Sequence, residues 1–379
     1  MSKESKLELP HPREQAVMIG HAAIQERFIR EFEQGLTHHA YLMTGAKGIG
    51  KATLAYRFAR YVLSQGAQEK PIEEAPSMSL FGDALPAAEP APVQVSSLDM
   101  PADHPLFRRI AAGSHTDLLT ISPAYDAKKH VEKNIITVDE ARKVPEFLSL
   151  TPAEGLWRVV IVDAVDQLND NAANALLKIL EEPPPRAMLF LVCHQPAAIL
   201  PTIRSRCRTL ALRAPDMQAF GEILNRFAPS IANHEYAALY GLSHGSAGLA
   251  MALFEEGGLK WYADWLEAMQ PDASAQVRQR FADAVQAAKS SRSWEAVIHA
   301  WHVVMQRISL FPHYDTAAPI CRQEQERLAA IAASTNPARC HAWVEEGRRL
   351  IHQTETFHLD KRQTIRMLAD PAQLDMLAA

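Results

Sequence analysis

The stretch HAYLMTGAKGIGKATLAYRF, residues 39–58, constrains the fold of this chain more than any other. A short apolar run, HAYL, leads into glycines at 45, 48 and 50 and then Lys51, after which Ala55, Phe58, Ala59, Val62 and Leu63 recur at helical spacing. That order is strand, loop, helix. A glycine-rich turn between a buried strand and a helix N-terminus points successive backbone N–H groups at one spot, which suits a phosphate, and the lysine adds a cation. The pattern GxxxxGK lacks only its final hydroxyl. Ala52 stands where a Ser or Thr would ligate magnesium, and Thr53 lies one residue further on, about 100° around the helix.

Four later apolar runs read as strands of a parallel sheet: LLTI (118–121), VVIV (159–162), MLFLV (188–192) and TLAL (209–212). Helical patterns alternate with them, which predicts a doubly wound α/β domain. Thr137 and Glu140 match a capping box at the start of one helix, which Pro145 should shorten or kink. Another helix, residues 171–182, should stop at Pro183, Pro184 and Pro185.

Two more elements carry chemistry. Asp163 ends the VVIV strand, where a carboxylate can hold magnesium, but the neighbouring position that would polarise an attacking water is Ala164. Asp166 is expected to lie too far along to replace it. Gly45, Gly48, Gly50, Lys51, Thr53 and Asp163 therefore form a degenerate candidate nucleotide site. TIRSRCRTL (202–210), with Arg204, Arg206, Arg208 and, just beyond it, Arg213, reads by itself as a solvated basic surface; the ordered triplet Ser205, Arg206, Cys207 is the more specific feature.

Beyond Leu212 the pattern is helical. Trp294, Val297, Trp301, Val304 and Ile308 share one helix face, as do Trp343, Gly347, Leu350, Ile351 and Phe357, with Gly241 to Gly248 lying between helical patterns. Residues 66–104 differ in kind: six prolines and seven acidic residues against one lysine, too little apolar content for a core. They read as a disordered insertion. The four cysteines show no metal-ligand or disulfide spacing, so no zinc is expected. A formal net charge of -5 argues against tight duplex binding by this chain alone. No apolar run approaches a membrane span and the N-terminus lacks a signal-like core, so a cytoplasmic, non-membrane protein is expected.

Taken together, IGH (19–21), HAYLMTGAKGIGKATLAYRFA, WRVVIVDAVDQLNDNAANALLKILEEPP (157–184) and SRC (205–207) resemble the AAA+ clamp-loader proteins of bacterial DNA polymerase III along nearly the whole chain, and within them the delta-prime family. The resemblance implies a RecA-like α/β domain, a parallel sheet with helices on both faces, over residues 1–212. It further implies a helical lid (213–270) and an all-α C-terminal collar (271–379) that joins a ring of five subunits. Ile19 and Gly20 would lie near an adenine, and Arg206 would be an arginine finger reaching a neighbouring subunit's ATP site.

The departures are equally specific. Active loader ATPases carry a hydroxyl, a second acid and a lid arginine where this chain has Ala52, Ala164 and Gly248. The resemblance thus implies a non-catalytic subunit of the polymerase holoenzyme that requires no cofactor, with ATP or ADP binding without hydrolysis left open. Its implied partners are the ATPase subunits and delta, with the sliding clamp and primer-template DNA met through the complex. The alternative is a self-sufficient ATPase. The family's cysteine-ligated zinc module is missing; within the insertion that replaces it, SMSLF (77–81) resembles a clamp-docking peptide at Ser79, Leu80 and Phe81, a match for which chance is the competing reading.

Overall fold

The computed structural model describes residues 10–68, 97–123, 125–126, 131–132, 135–288, 290–311 and 318–378. By packing the chain divides into two compact units, Leu9–Ala214 and Pro215–Ala379.

The first unit contains a five-stranded sheet of β1 (Ala40–Thr44), β2 (Leu118–Ile121), β5 (Arg158–Asp163), β6 (Ala187–Cys193) and β7 (Arg208–Ala211), with the two-residue strands β3 (Tyr125–Asp126) and β4 (Val131–Glu132) paired separately. All five strands expected from the sequence are present. Their order is β2-β5-β6-β1-β7, and every neighbouring pair is parallel. Among the described residues six α-helices accompany them: α1 (Ala22–Glu33), α2 (Lys51–Gln68), α3 (Pro105–Ala111), α4 (Val138–Ser149), α5 (Asp170–Glu181) and α6 (Pro201–Arg204).

Because side chains alternate along a strand, a continuous apolar run must be covered on both faces. Val159, Ile161, Met188, Phe190 and Val192 join Phe28, Leu54, Phe58 and Ile110 in one core, whereas Val160, Val162, Leu189 and Leu191 join Val144, Leu148, Leu176 and Ile179 in another. Helices α1, α2 and α3 therefore cover one face and α4, α5 and α6 the other. Phe28 and Phe58 stack with ring centroids 3.9 Å apart.

Three local expectations need correction. Thr137 does occupy the N-cap of α4, but its side chain makes no capping bond, and the Glu140 carboxylate accepts instead from Lys143 Nζ at 2.7 Å. Pro145 sits inside α4, which continues to Ser149. The range 66–104 is not wholly an insertion: α2 runs to Gln68, Leu98 is buried, and Asp99 pairs with Arg57 at 2.6 Å. Residues 69–96, including Ser77–Phe81, lie outside the described residues.

The second unit is helical. Helices α7 (Met217–Phe227), α8 (Tyr236–Ser243) and α9 (Ala247–Glu255) share a small core of Phe220, Leu224, Leu239, Ala250 and Met251. Gly241 and Gly248 fall within α8 and α9, and the break between these helices is only His244–Ser246. A larger core is built by α10 (Gly258–Ala268), α11 (Ala275–Ala287), α12 (Ser291–Leu310), α13 (Glu324–Ala333), α14 (Pro337–Phe357), α15 (Lys361–Leu368) and α16 (Pro371–Ala378). Trp261, Tyr262 and Trp265 of α10 belong to this larger core, and Trp265 Nε1 donates to Val297 O of α12 at 2.8 Å. Leu259 of α10 also packs against the small core, and Leu242 of α8 and Leu253 of α9 belong to the larger one, so the two cores adjoin through these helices.

The apolar stripe read on α12 is buried throughout. On α14, Trp343, Gly347 and Ile351 are buried, but Phe357 is 68% exposed because it is the last helical residue and His358 turns the chain into the left-handed region. Gly347 is required by contact: a Cβ there would meet Trp301 Cζ2 at 2.5 Å and Leu368 Cδ2 at 3.1 Å. The Arg307 and Glu324 side chains form a buried ion pair, with Glu324 also accepting from the Tyr262 hydroxyl and from Ile320 N at 2.5 Å.

Candidate nucleotide loop and arginine turn

The sheet register brings three strand ends to one edge. Thr44 lies beside Cys193, and Asp163 lies beside Val192, so the loop after β1, the Asp163 carboxylate and the turn after β6 share the C-terminal side of the sheet. That edge is where ligands of open parallel α/β sheets bind.

The loop has the backbone its glycines allow. Gly45, Gly48 and Gly50 adopt φ of +141°, +82° and +97°. A Cβ on Gly45 would also meet Leu212 O at 2.5 Å, which ties the loop to the chain leaving β7. On the other side His21 Nε2 lies 3.0 Å from Ile49 O, and Gln25 Nε2 donates to Gly20 O at 3.0 Å, so the IGH segment adjoins the loop.

Lys51 is turned into this loop. Its ammonium donates to Gly45 O at 2.7 Å and to Ala46 O at 2.5 Å, and the residue is only 3% exposed. Burial pulls its pKa down to about 8, partly opposed by the negative charge of Asp163. Thr53 is half-buried on the first turn of α2. Asp166 serves the fold: its carboxylate accepts from His194 N at 2.9 Å and Gln195 N at 3.2 Å, joining the turn after β5 to the turn after β6. These residues do not fit a magnesium nucleotide. The loop lysine is committed to backbone carbonyls, position 52 has no hydroxyl, and position 164 has no carboxylate.

Sequence reasoning missed two features. His194 follows β6, and burial, with Lys51 as a further positive neighbour, lowers its pKa to about 4. The second is a strap, residues 13–16, held by buried arginines of α2: Arg57 Nη1 donates to Ala16 O at 2.7 Å, and Arg60 donates to Arg13 O at 3.1 Å and Gln15 O at 2.7 Å. Arg60 also lies over the Phe107 ring at 4.8 Å, and burial lowers its pKa to about 10. The signal was available, since two arginines three apart on an otherwise apolar helix must find acceptors.

Arg206 is elsewhere. It sits between α6 and β7, and β7 begins at Arg208, level with Tyr41 of β1. Gly45 follows Tyr41 by four residues, about 13 Å along the strand direction. The arginine turn is therefore at the opposite edge of the sheet from the loop and Asp163. Its Nη2 pairs with Glu181 Oε1 at 2.7 Å, and its Nη1 donates to Thr202 O at 2.9 Å and to Ser205 Oγ at 3.4 Å. The surrounding basic run is less free than it looked, for Arg208 pairs with Glu31 at 2.7 Å. Cys207 packs beside the second sheet core, and burial raises its thiol pKa to about 12.

A five-stranded parallel sheet in this order, with a glycine loop after β1, an acidic end to β5 and a helical unit after it, defines an AAA+ module. The family described as DNA polymerase III, delta subunit, matches residues 102–216. DNA polymerase III subunit delta' of Pseudomonas aeruginosa is 31% identical over 259 residues, covering 68% of this chain and 66% of the relative. Its Escherichia coli K12 counterpart is 33% identical over 239 residues, covering 63% and 60%. This chain belongs to the DNA polymerase III delta-prime family. The alignments span slightly under two thirds of these relatives' own length. A gamma subunit-related protein of Thermotoga maritima superposes with a TM-score of 0.40 at 15% identity, covering 95% of this chain and 100% of its own; the fold assignment rests on the sheet order.

Among the described residues no single helix is long and apolar enough to cross a membrane.

Proposed function

We propose that this chain is a non-catalytic subunit of a DNA polymerase III clamp loader, helping to load the sliding clamp onto primed DNA and lending Arg206 to the ATP site of an adjacent subunit. The observation that carries this reading is the placement of Arg206 at the sheet edge opposite its own loop, where it is too far to serve a phosphate held by Gly45 to Lys51. An arginine finger stabilises charge developing on a transferred phosphoryl group, and supplied in trans it raises turnover by about 10³ to 10⁵. The closed loop fits the same division of labour, since Lys51 is spent on Gly45 and Ala46 while Ala52 and Ala164 offer nothing for magnesium or water.

On this reading residues 213–270 act as the lid and residues 271–379 as the collar that joins a five-subunit ring with the ATPase subunits and delta. The setting is cytoplasmic, and primer-template DNA is met through the complex. The test is Arg206→Ala in the reconstituted complex. Assembly should be retained while clamp- and DNA-stimulated ATP turnover falls; unchanged turnover would remove the reading.

A further inference from the structure

We propose that Glu181 positions Arg206, holding its guanidinium in place before a neighbouring subunit's nucleotide arrives; this rests on reading Arg206 as a residue that acts in trans. Glu181 is the last residue of α5, followed by the cap residue Glu182 and then Pro183 and Pro184. An acidic residue at a helix C-terminus opposes the helix dipole and gains nothing for the helix itself. Here its Oε1 lies 2.7 Å from Arg206 Nη2, while Thr202 O takes Nη1 at 2.9 Å. Two separate elements, the end of α5 and the first turn of α6, thus hold two nitrogens of one guanidinium.

The side chains of Arg206 and Glu181 are 34% and 49% exposed, so the pair stands at the surface, reachable by another chain. Exposed ion pairs contribute little to stability, because solvent screens them and two long side chains must be ordered. What such a pair can supply is prior ordering: a guanidinium already fixed by two partners loses less freedom when it meets a phosphoryl group, and that ordering lowers the barrier of the reaction it serves. The NALLKILEEPP and SRC motifs, separate in sequence, then become one device.

The test uses the clamp loader reconstituted with Glu181→Ala, Glu181→Gln, Arg206→Ala and the double variant, reading kcat and KM for ATP in the presence of clamp and primed DNA. Glu181→Ala should lower kcat about 3- to 10-fold with KM unchanged, as expected for a group whose effect is felt in the transition state. Glu181→Gln, which keeps an oxygen acceptor, should recover part of that loss. The double variant should be no slower than Arg206→Ala, since Glu181 acts only through the arginine. Thermal midpoints of the isolated variants should match that of the parent chain, which a merely structural role would not allow. Where Arg206→Ala is slow, full activity of Glu181→Ala, a loss additive with Arg206→Ala, or a rise in turnover would each overturn the proposal, the last making Glu181 a restraint. Normal turnover by Arg206→Ala would overturn the trans reading itself, and this one with it.

Discussion

Lys51 Nζ donates to Gly45 O at 2.7 Å, so the cation of the glycine loop is bonded to the first glycine of the same loop. A nucleotide would have to displace this bond and the one to Ala46 before the lysine could meet a phosphate.

Lys51 should titrate far below an ordinary lysine, at about 8. Because the unfolded chain holds this proton more tightly, burial of the ammonium costs stability below pH 8, and the cost disappears as pH rises from about 8 towards 10.5. Carbon-13 labelling of the lysine Cε positions would follow the titration; a midpoint near 10 would contradict the buried arrangement. Lys51→Met should flatten the corresponding rise in stability.

Acid should weaken the fold ahead of its carboxylates. His194 and His302 both have pKa values lowered to about 4, chiefly by burial, so the unfolded chain is protonated first as pH falls. Their contribution is complete above pH 6.5 and drains away between 6.5 and 4. Urea unfolding midpoints should fall across that window, and His302→Gln should reduce the slope. Identical slopes for the variant and the parent would exclude His302 as a source.

Asp166→Ala should destabilise the first unit by roughly 1 to 3 kcal/mol, because two backbone N–H groups, those of His194 and Gln195, lose their acceptor. Asp166→Asn, which keeps one oxygen, should lose less. Denaturant titration of the two variants checks the order.

In the second unit, Gly347→Ala should cost roughly 1 to 3 kcal/mol, since the new methyl must push the buried Trp301 indole aside. A lowered thermal midpoint with a perturbed tryptophan emission would be the expected result; an unchanged midpoint would mean that the Trp301 pocket yields freely.

Much of the α/β unit was legible because its signals are local. Each strand is a short run of buried apolar residues, and Gly45, Gly48 and Gly50 announce a backbone with positive φ that other residues resist. The prolines after Glu182 likewise end α5 where expected. Thr137 misled for the opposite reason: a capping pattern states which bonds are available, not which of them the folded chain makes. Phe357 failed as a core residue because periodicity has no knowledge of where a helix outruns its partners. The sharing of α8, α9 and α10 between two cores was hidden because membership of a core depends on which other helix comes near.

By itself the sequence determined the glycine loop, its lysine, the three missing groups at 52, 164 and 248, and the identity of the family's arginine turn. Only the tertiary structure decided where these stand. The register of β1 against β6 and β7 puts the loop at one edge of the sheet and Arg206 at the other, burial turns Lys51 onto Gly45 and Ala46, and the packing of α5 beside α6 delivers Glu181 to Arg206. The physical reason is range: backbone preferences are set by neighbours along the chain, whereas partners of a charge are set by whatever folding brings within a few ångströms of it.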